Sequence, residues 1–184
     1  MKSKFSLLAL TLFCSLNTTL SLQAAPAELI SNSTFSSGLE GWQPQKLEST
    51  EASFEIKDIE GGKHALCITV PQPGAKRYFV QLLHPLDVQL SSGKSYTLSF
   101  RVRSKPGASI VVILRGQNAP KGEIWREDPI ALTEEWKTYS YTFTPPQDGA
   151  ATTLLISGLA SVAGEYWFTH VSLQEGTGTP IPTP

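Results

Sequence analysis

Residues 96–103 place two different faces on one short segment. Tyr96, Leu98, Phe100 and Val102 alternate with Thr97, Ser99, Arg101 and Arg103. A period of two buries one side of an extended strand and leaves the other wet, whereas a helical face would need a period of 3.6. Tyr139, Tyr141 and Phe143 oppose Thr138, Ser140 and Thr142 in the same way. Comparable short runs cover about 52–58, 64–71, 77–84, 95–104, 109–115, 137–144, 151–157 and 165–174. Turn residues separate them: Gly61-Gly62, Pro71-Gln72-Pro73-Gly74, Ser91-Ser92-Gly93, Pro106-Gly107 and Pro145-Pro146. Beyond the first residues, no segment sustains helical spacing. The pattern predicts an all-β chain, a two-sheet antiparallel β-sandwich of jelly-roll type.

The chain start reads differently. Lys2 and Lys4 precede the apolar run Phe5–Phe13, and Leu22-Gln23-Ala24 offers a small residue for cleavage. That run is too short to cross a bilayer, so residues 1–24 read as a cleaved signal peptide and the protein as secreted or periplasmic. Phe13 before Cys14 is too bulky for a lipidation site. About 160 residues remain, enough for one domain with one core, over 28–175. The tail, 176–184, is rich in Pro, Thr and Gly and is expected to be a disordered stub of the kind that tethers modules.

Charge excludes some partners. Without Lys2 and Lys4, 13 of the 15 basic residues face 16 acidic ones, a net charge of about −3. A nucleic-acid binder would be basic, so no nucleic-acid partner is expected. No later apolar run is long enough to span a membrane. The mature chain keeps one cysteine, Cys67, in a strand where Leu66, Ile68 and Val70 face the other way. It reads as an inert packed thiol.

No catalytic centre is legible. A glycosidase needs two carboxylates flanking a bond, and the acids here fall in turns and outer faces, Glu127-Asp128 and Glu134-Glu135 among them. There is no nucleophile elbow, zinc-binding His-Glu pattern or phosphate loop, and His64, His84 and His170 sit in unlike contexts. The expectation is a non-enzyme. Asn32-Ser33-Thr34 matches a glycosylation sequon, but it also opens the motif order described next.

That order is specific in combination. Asn32, Phe35, Gly41 and Trp42 come first, then Gly62-Lys63-His64-Ala65-Leu66, then Tyr78 ahead of Gln81. Gly93-Lys94-Ser95-Tyr96-Thr97-Leu98-Ser99-Phe100 follows, then the strand led by Trp136 and ending in Phe143-Thr144. Tyr166-Trp167-Phe168 with Val171-Ser172-Leu173 closes the order. The series resembles the carbohydrate-binding modules of the family four, nine and twenty-two group, the cellulose- and xylan-binding type appended to secreted polysaccharide-degrading enzymes. The resemblance implies a galactose-binding-like jelly roll that recognises polysaccharide on a concave sheet face or in a groove, with a separate glycoside-degrading enzyme as an expected partner. It also implies a structural calcium in many members. Here Ser36 stands where those members tend to have Glu, and Thr169-His170 where they tend to have paired acidic or amide residues. Lost carboxylates remove the charge that holds calcium, so no metal or cofactor is assigned.

Binding candidates follow from side-chain chemistry. Sugar faces stack on exposed aromatics, and hydroxyls pair with planar polar groups. Arg101 and Arg103 lie on the wet side of their strand; Arg115 ends another, with Gln117 and Asn118 beyond. By resemblance, Tyr78 beside Arg77, with Gln81, and Trp125 in the long connection before Trp136 fall where ligand-stacking groups occur. Trp42 and Trp136 are expected in the core or packed at an edge, while strand parity leaves the face of Trp167 open. Should Arg101, Arg103 and Arg115 share one face, an anionic polysaccharide or oligosaccharide is the expected ligand. The rival expectation is a surface or periplasmic protein-interaction sandwich whose sugar site has decayed. Solvent-facing Tyr78 and Trp125 would favour sugar binding, and burial of both the scaffold.

Overall fold

A computed structural model describes residues 26–117 and 122–177. Residues 1–24 and the tail beyond Thr177 lie outside the described residues, so the signal-peptide reading and most of the tail reading do too. Among the described residues ten strands form two five-stranded antiparallel sheets. They are β1 (Gln43–Lys46), β2 (Ser53–Ile59), β3 (Lys63–Val70), β4 (Val80–Leu90) and β5 (Tyr96–Ser104). β6 (Ser109–Gly116), β7 (Glu123–Ala131), β8 (Lys137–Phe143), β9 (Gly149–Ser157) and β10 (Gly164–Glu175) complete the set. The first sheet runs β1-β4-β9-β6-β7, the second β2-β3-β10-β5-β8. The fold is the all-β sandwich that the alternation predicts.

The core forms between the sheets from the residues of one parity. Leu66, Ile68 and Val70 of β3, Leu98, Phe100 and Val102 of β5, and Tyr166 and Phe168 of β10 enter from the second sheet. Val80 and Leu82 of β4, Val112 and Leu114 of β6, and Leu154 and Ile156 of β9 meet them from the first. Burying such side chains supplies most of the drive to fold, at roughly 25 cal/mol per Å2 of apolar surface.

β1 and β7 were not legible as strands, for one physical reason. Both are edge strands of the first sheet, and unlike the edges β2 and β8 of the second they carry polar residues and proline in place of apolar alternation. β1 reads Gln-Pro-Gln-Lys, and β7 holds three carboxylates, Arg126 and Pro129. β4 also runs past the expected limit at residue 84, through Pro85, by a register shift between Pro85 and Val88. Arg77–Phe79, expected to start that strand, instead forms a 3-10 turn.

β10 contains a device that alternation alone would miss. Tyr166 and Phe168 face inward, and so do Val171 and Leu173, which have the opposite parity. A bulge between Thr169 and Val171 absorbs the extra residue, with His170 at φ +57°. Trp167 therefore faces outward.

The loop before β1 is pinned by the opening motif. Asn32 Nδ2 donates to the carbonyls of Gly38 and Glu40, each at 3.0 Å, and its Oδ1 accepts from Ser37 N. Trp42 is buried against Phe35 and His84, and its ring nitrogen donates to the Asn32 carbonyl at 3.2 Å. Gly41 sits at φ +79°, and a Cβ there would lie 2.9 Å from Ser31 Oγ, so this corner requires glycine. Trp42 meets its expectation of a core residue.

Candidate functional site

On the outer side of the first sheet, the parity that sends Val112, Leu114, Leu154 and Ile156 into the core turns Val111, Ile113 and Leu155 the other way. These three form an apolar cluster separate from the main core, with half-buried Leu83 packed against it. They are only 3%, 5% and 2% exposed, so the floor of this face is dry. The cross-strand register lines up Gln43, Leu83, Leu155, Ile113 and Arg126 across the sheet. Gln45 opposes Gln81 in the adjacent row, and Thr153 opposes Arg115 in the row on the other side. An apolar strip bordered by planar amides and guanidinium groups results.

One end of this face is closed by an ion-pair network. Arg77 binds Asp128 through both guanidinium nitrogens, each pair at 2.9 Å, and Arg126 adds a bond to Asp128 Oδ2 at 2.8 Å. Arg126 also holds Glu123 at 3.0 Å. The hydrogen bonds from Arg77, and then from Arg126, keep the Asp128 carboxyl below the usual carboxylate range. Tyr78, next in the 3-10 turn, is 42% exposed and meets Phe79 edge-on. Gln81 donates through Nε2 to the Tyr78 carbonyl at 2.9 Å, which ties the turn to β4. Arg115 and Gln117 are exposed at the far end of β6.

Trp125 departs from its expectation. It lies in β7 and not in a connecting loop, paired with inward-facing Leu114. Its ring stacks on Phe143 at 5.6 Å and packs against Tyr141 at 5.4 Å, half-buried against the core. The inward side of an edge strand gave it aromatic partners that no local pattern announces. The two aromatics thus divide: Tyr78 faces solvent and Trp125 packs.

The arginines divide as well. Arg101 and Arg103 lie on the outer face of the second sheet, while Arg115 belongs to the first. The condition of three arginines on one face fails, because parity fixes a side within a strand but not which sheet the strand joins. Thr97 and Ser99, expected to be wet, are buried. Thr97 Oγ1 contacts Thr142 Oγ1 and donates to the Gly176 carbonyl, and Ser99 bonds Ser140. Only the Arg101–Arg103 end of β5 reaches solvent.

That end is built around two indole rings. Trp136, expected in the core or at an edge, is half-buried on the outer face under Arg101 and Arg103, whose guanidinium carbons lie 5.2 and 5.0 Å from its ring centre. Trp167, paired directly with Arg103 in the β5–β10 register, is 4.9 Å from the same guanidinium. Lys57 lies 5.2 Å from the Trp167 ring. Arg101 and Arg103 read together from sequence, but the two indoles are not joined to them there, since Trp136 is expected to pack and the face of Trp167 is open.

Next to it lie Ser36, Thr169 and His170, the positions at which the resemblance raised the expectation of calcium. A depression of about 290 Å3 is bounded by Thr34, Ser36, Lys63, Arg101, Thr169 and His170. Calcium takes six to eight oxygens and several carboxylates. This lining, which also includes His64, offers hydroxyls, two imidazoles and two cations, so it does not suit calcium. Among the described residues no cluster of three His, Cys, Asp or Glu side chains could hold a metal ion. Burial pushes the His170 imidazole below its ordinary value. Cys67 is buried, and burial first of all raises its thiol pKa, as expected of an inert thiol.

Comparison with known proteins extends these observations. Residues 27–158 match the family model of a carbohydrate binding domain. No curated protein matches the chain. Among solved structures, a CBM4 module is 21% identical with a TM-score of 0.61, over 80% of this chain and 99% of that one. The second N-terminal cellulose-binding domain of β-1,4-glucanase C from Cellulomonas fimi is 24% identical, TM-score 0.60, over 85% and 98%. A CBM61 module in complex with β-1,4-galactotriose is 14% identical, TM-score 0.56, over 82% and 99%. At these identities the likeness establishes the fold. No described helix is long and apolar enough to cross a membrane.

Proposed function

The chain belongs to the carbohydrate binding domain family, and from that premise we propose that it is an exported, non-catalytic protein that holds a polysaccharide chain along the outer face of its first sheet. The observation behind this reading is the apolar strip of Leu83, Leu155, Ile113 and Val111 bordered by Gln43, Gln45 and Gln81. The equatorial hydroxyls of a pyranose suit planar amides on a rigid sheet, which cost little ordering entropy, and half-buried Leu83 is the accessible apolar side chain of the strip above the buried Val111, Ile113 and Leu155. Tyr78 supplies an exposed ring at one end, and Arg115 with Gln117 supplies donors at the other. Two structural neighbours were described as cellulose-binding or solved with a β-1,4-linked galactan fragment, so neutral β-1,4-linked glycans are the first class to test. The basic network at Arg77, Asp128 and Arg126 is internally neutralised and does not favour an acidic chain on this face.

Affinity electrophoresis of the mature protein in gels containing soluble cellulose derivatives, xylan or β-1,4-galactan tests the reading. Retardation by at least one of them is expected. Tyr78→Ala and Gln45→Ala should each weaken it about fivefold, near the worth of one net hydrogen bond or ring contact, with the thermal midpoint unchanged because both side chains are exposed. No retardation by any neutral glycan would favour the protein-interaction sandwich with a decayed sugar site, for which the inward packing of Trp125 is the supporting observation.

A further inference from the structure

The opposite face of the sandwich carries features that a neutral-glycan groove on the first sheet does not use. Outside the second sheet, a depression of about 450 Å3 is lined by Lys63, Arg101, Arg103, Trp136 and Trp167 together with two carboxylates, Asp58 and Glu60, so three cations face two acids. The neighbouring depression of about 290 Å3 shares Lys63 and Arg101 with it. The two therefore form one run across the sheet, with Arg101 at the junction. The larger is of the size that small-molecule sites occupy, roughly 300–1,000 Å3.

Its charge is unbalanced in a specific way. Asp58 is engaged by His64 at 2.9 Å. Lys57, on the far side of Trp167, faces Glu55 and Glu165. Arg101, Arg103 and Lys63 have no carboxylate within ion-pair distance among the described residues. Arg103 Nε is shielded from solvent and lacks a hydrogen-bond partner. Leaving a shielded guanidinium nitrogen without an acceptor is costly.

The indoles explain how these cations stay in place without carboxylates. The Arg103 guanidinium sits between the rings of Trp136 and Trp167, 5.0 and 4.9 Å from their centres, and Arg101 lies against Trp136 at 5.2 Å. Each contact contributes about 0.5–1 kcal/mol or more and fixes the plane of the fork. Trp167 is itself oriented by donating to Glu165 Oε2 at 3.0 Å. The ring faces are occupied by cations, so sugar stacking is not their use here. Two preset, parallel-capable forks are suited to planar oxyanions, which guanidinium binds bidentately.

We propose that this face is a second binding site, selective for a polysaccharide with carboxylates on successive residues, that is, a polyuronate. Arg103 takes one carboxylate between the two indoles, Arg101 takes the next at the junction, and Lys63 adds charge at the edge. The second depression accommodates the chain beyond Arg101. The site is independent of the groove on the first sheet.

The test is affinity electrophoresis of the mature protein at low salt in gels containing polygalacturonate, fully methyl-esterified polygalacturonate, dextran sulfate, or the neutral glycan bound by the first sheet. Polygalacturonate should retard the native protein, and its uncharged methyl ester should not. Arg101→Gln combined with Arg103→Gln should weaken that retardation at least about tenfold, and retardation by the neutral glycan should persist. Arg103→Lys keeps the charge but loses the fork, so a loss of about fivefold or more is expected there too. Tyr78→Ala should affect only the neutral glycan, which separates failure of this site from failure of the groove. Several results overturn the proposal: no retardation by polygalacturonate, equal retardation by its methyl ester, full retention in the double variant, or binding to dextran sulfate alone. Near-ultraviolet circular dichroism of the double variant confirms that the sandwich is intact; should it not be, the single variant Arg103→Lys decides.

Discussion

Individual side chains here do work that depends on partners far away in sequence. Asp128 is 18% exposed and held by Arg77, 51 residues away, as well as by Arg126. Its carboxyl is held below the ordinary value near 3.9. A carboxylate of that kind stabilises the fold fully above its unfolded pKa and loses the contribution as pH falls through its lower folded value. Asp128→Asn should therefore lower the thermal midpoint by about 2–4 °C at pH 7, corresponding to about 1 kcal/mol for a bidentate, partly exposed pair. Titrating both proteins downward should narrow that gap as the pH falls below the ordinary carboxylate range, because the native carboxyl then takes up a proton as well. A gap that stays constant with pH would show that the loss is one of packing. The aromatics make a similar point. Trp125 and Tyr78 each stand in sequence beside one arginine and one apolar residue, yet one stacks on Phe143 and the other faces solvent.

Strands were legible wherever an apolar pattern survives, including the edge strands β2 and β8 of the second sheet, and obscure in the polar edge strands β1 and β7 of the first. β2, β5 and β8 announce themselves by alternation, whereas β6 shows as a continuous apolar run from Ile110 to Leu114. β1 and β7 border solvent and carry Gln, Glu, Arg and Pro, so no period survives in them. The bulge in β10 is the other element-scale feature. With φ at +57°, His170 adopts a conformation that a β-branched side chain resists. His170→Val should destabilise the protein by about 1–2 kcal/mol in urea unfolding, whereas His170→Gly should stay within about 1 kcal/mol of native. Equal losses in both variants would assign the importance of His170 to its imidazole contacts and not to the turn of the strand.

At the scale of the whole molecule, the sandwich offers two outer faces of different chemistry. One has an apolar strip with amides, and the other has guanidinium groups clamped by indoles. Raising the ionic strength from low salt to about 0.5 M shortens the Debye length to a few ångströms. Retardation by polygalacturonate should collapse over that range, while retardation by a neutral glycan should change less than about twofold. Parallel loss of both would mean that a single charged surface serves both ligands. By itself, the sequence determined the sheet sandwich, the core residues, the inert Cys67 and the family, because period-two burial and the glycine and aromatic landmarks are local records of packing. It also showed that Arg101 and Arg103 face outward together. Only the tertiary structure decided that Arg115 lies on the other sheet, that Trp125 turns inward and that Trp136 joins Trp167 around Arg103. Those outcomes depend on which strands become neighbours, and strand order is set by long-range pairing that no local pattern encodes.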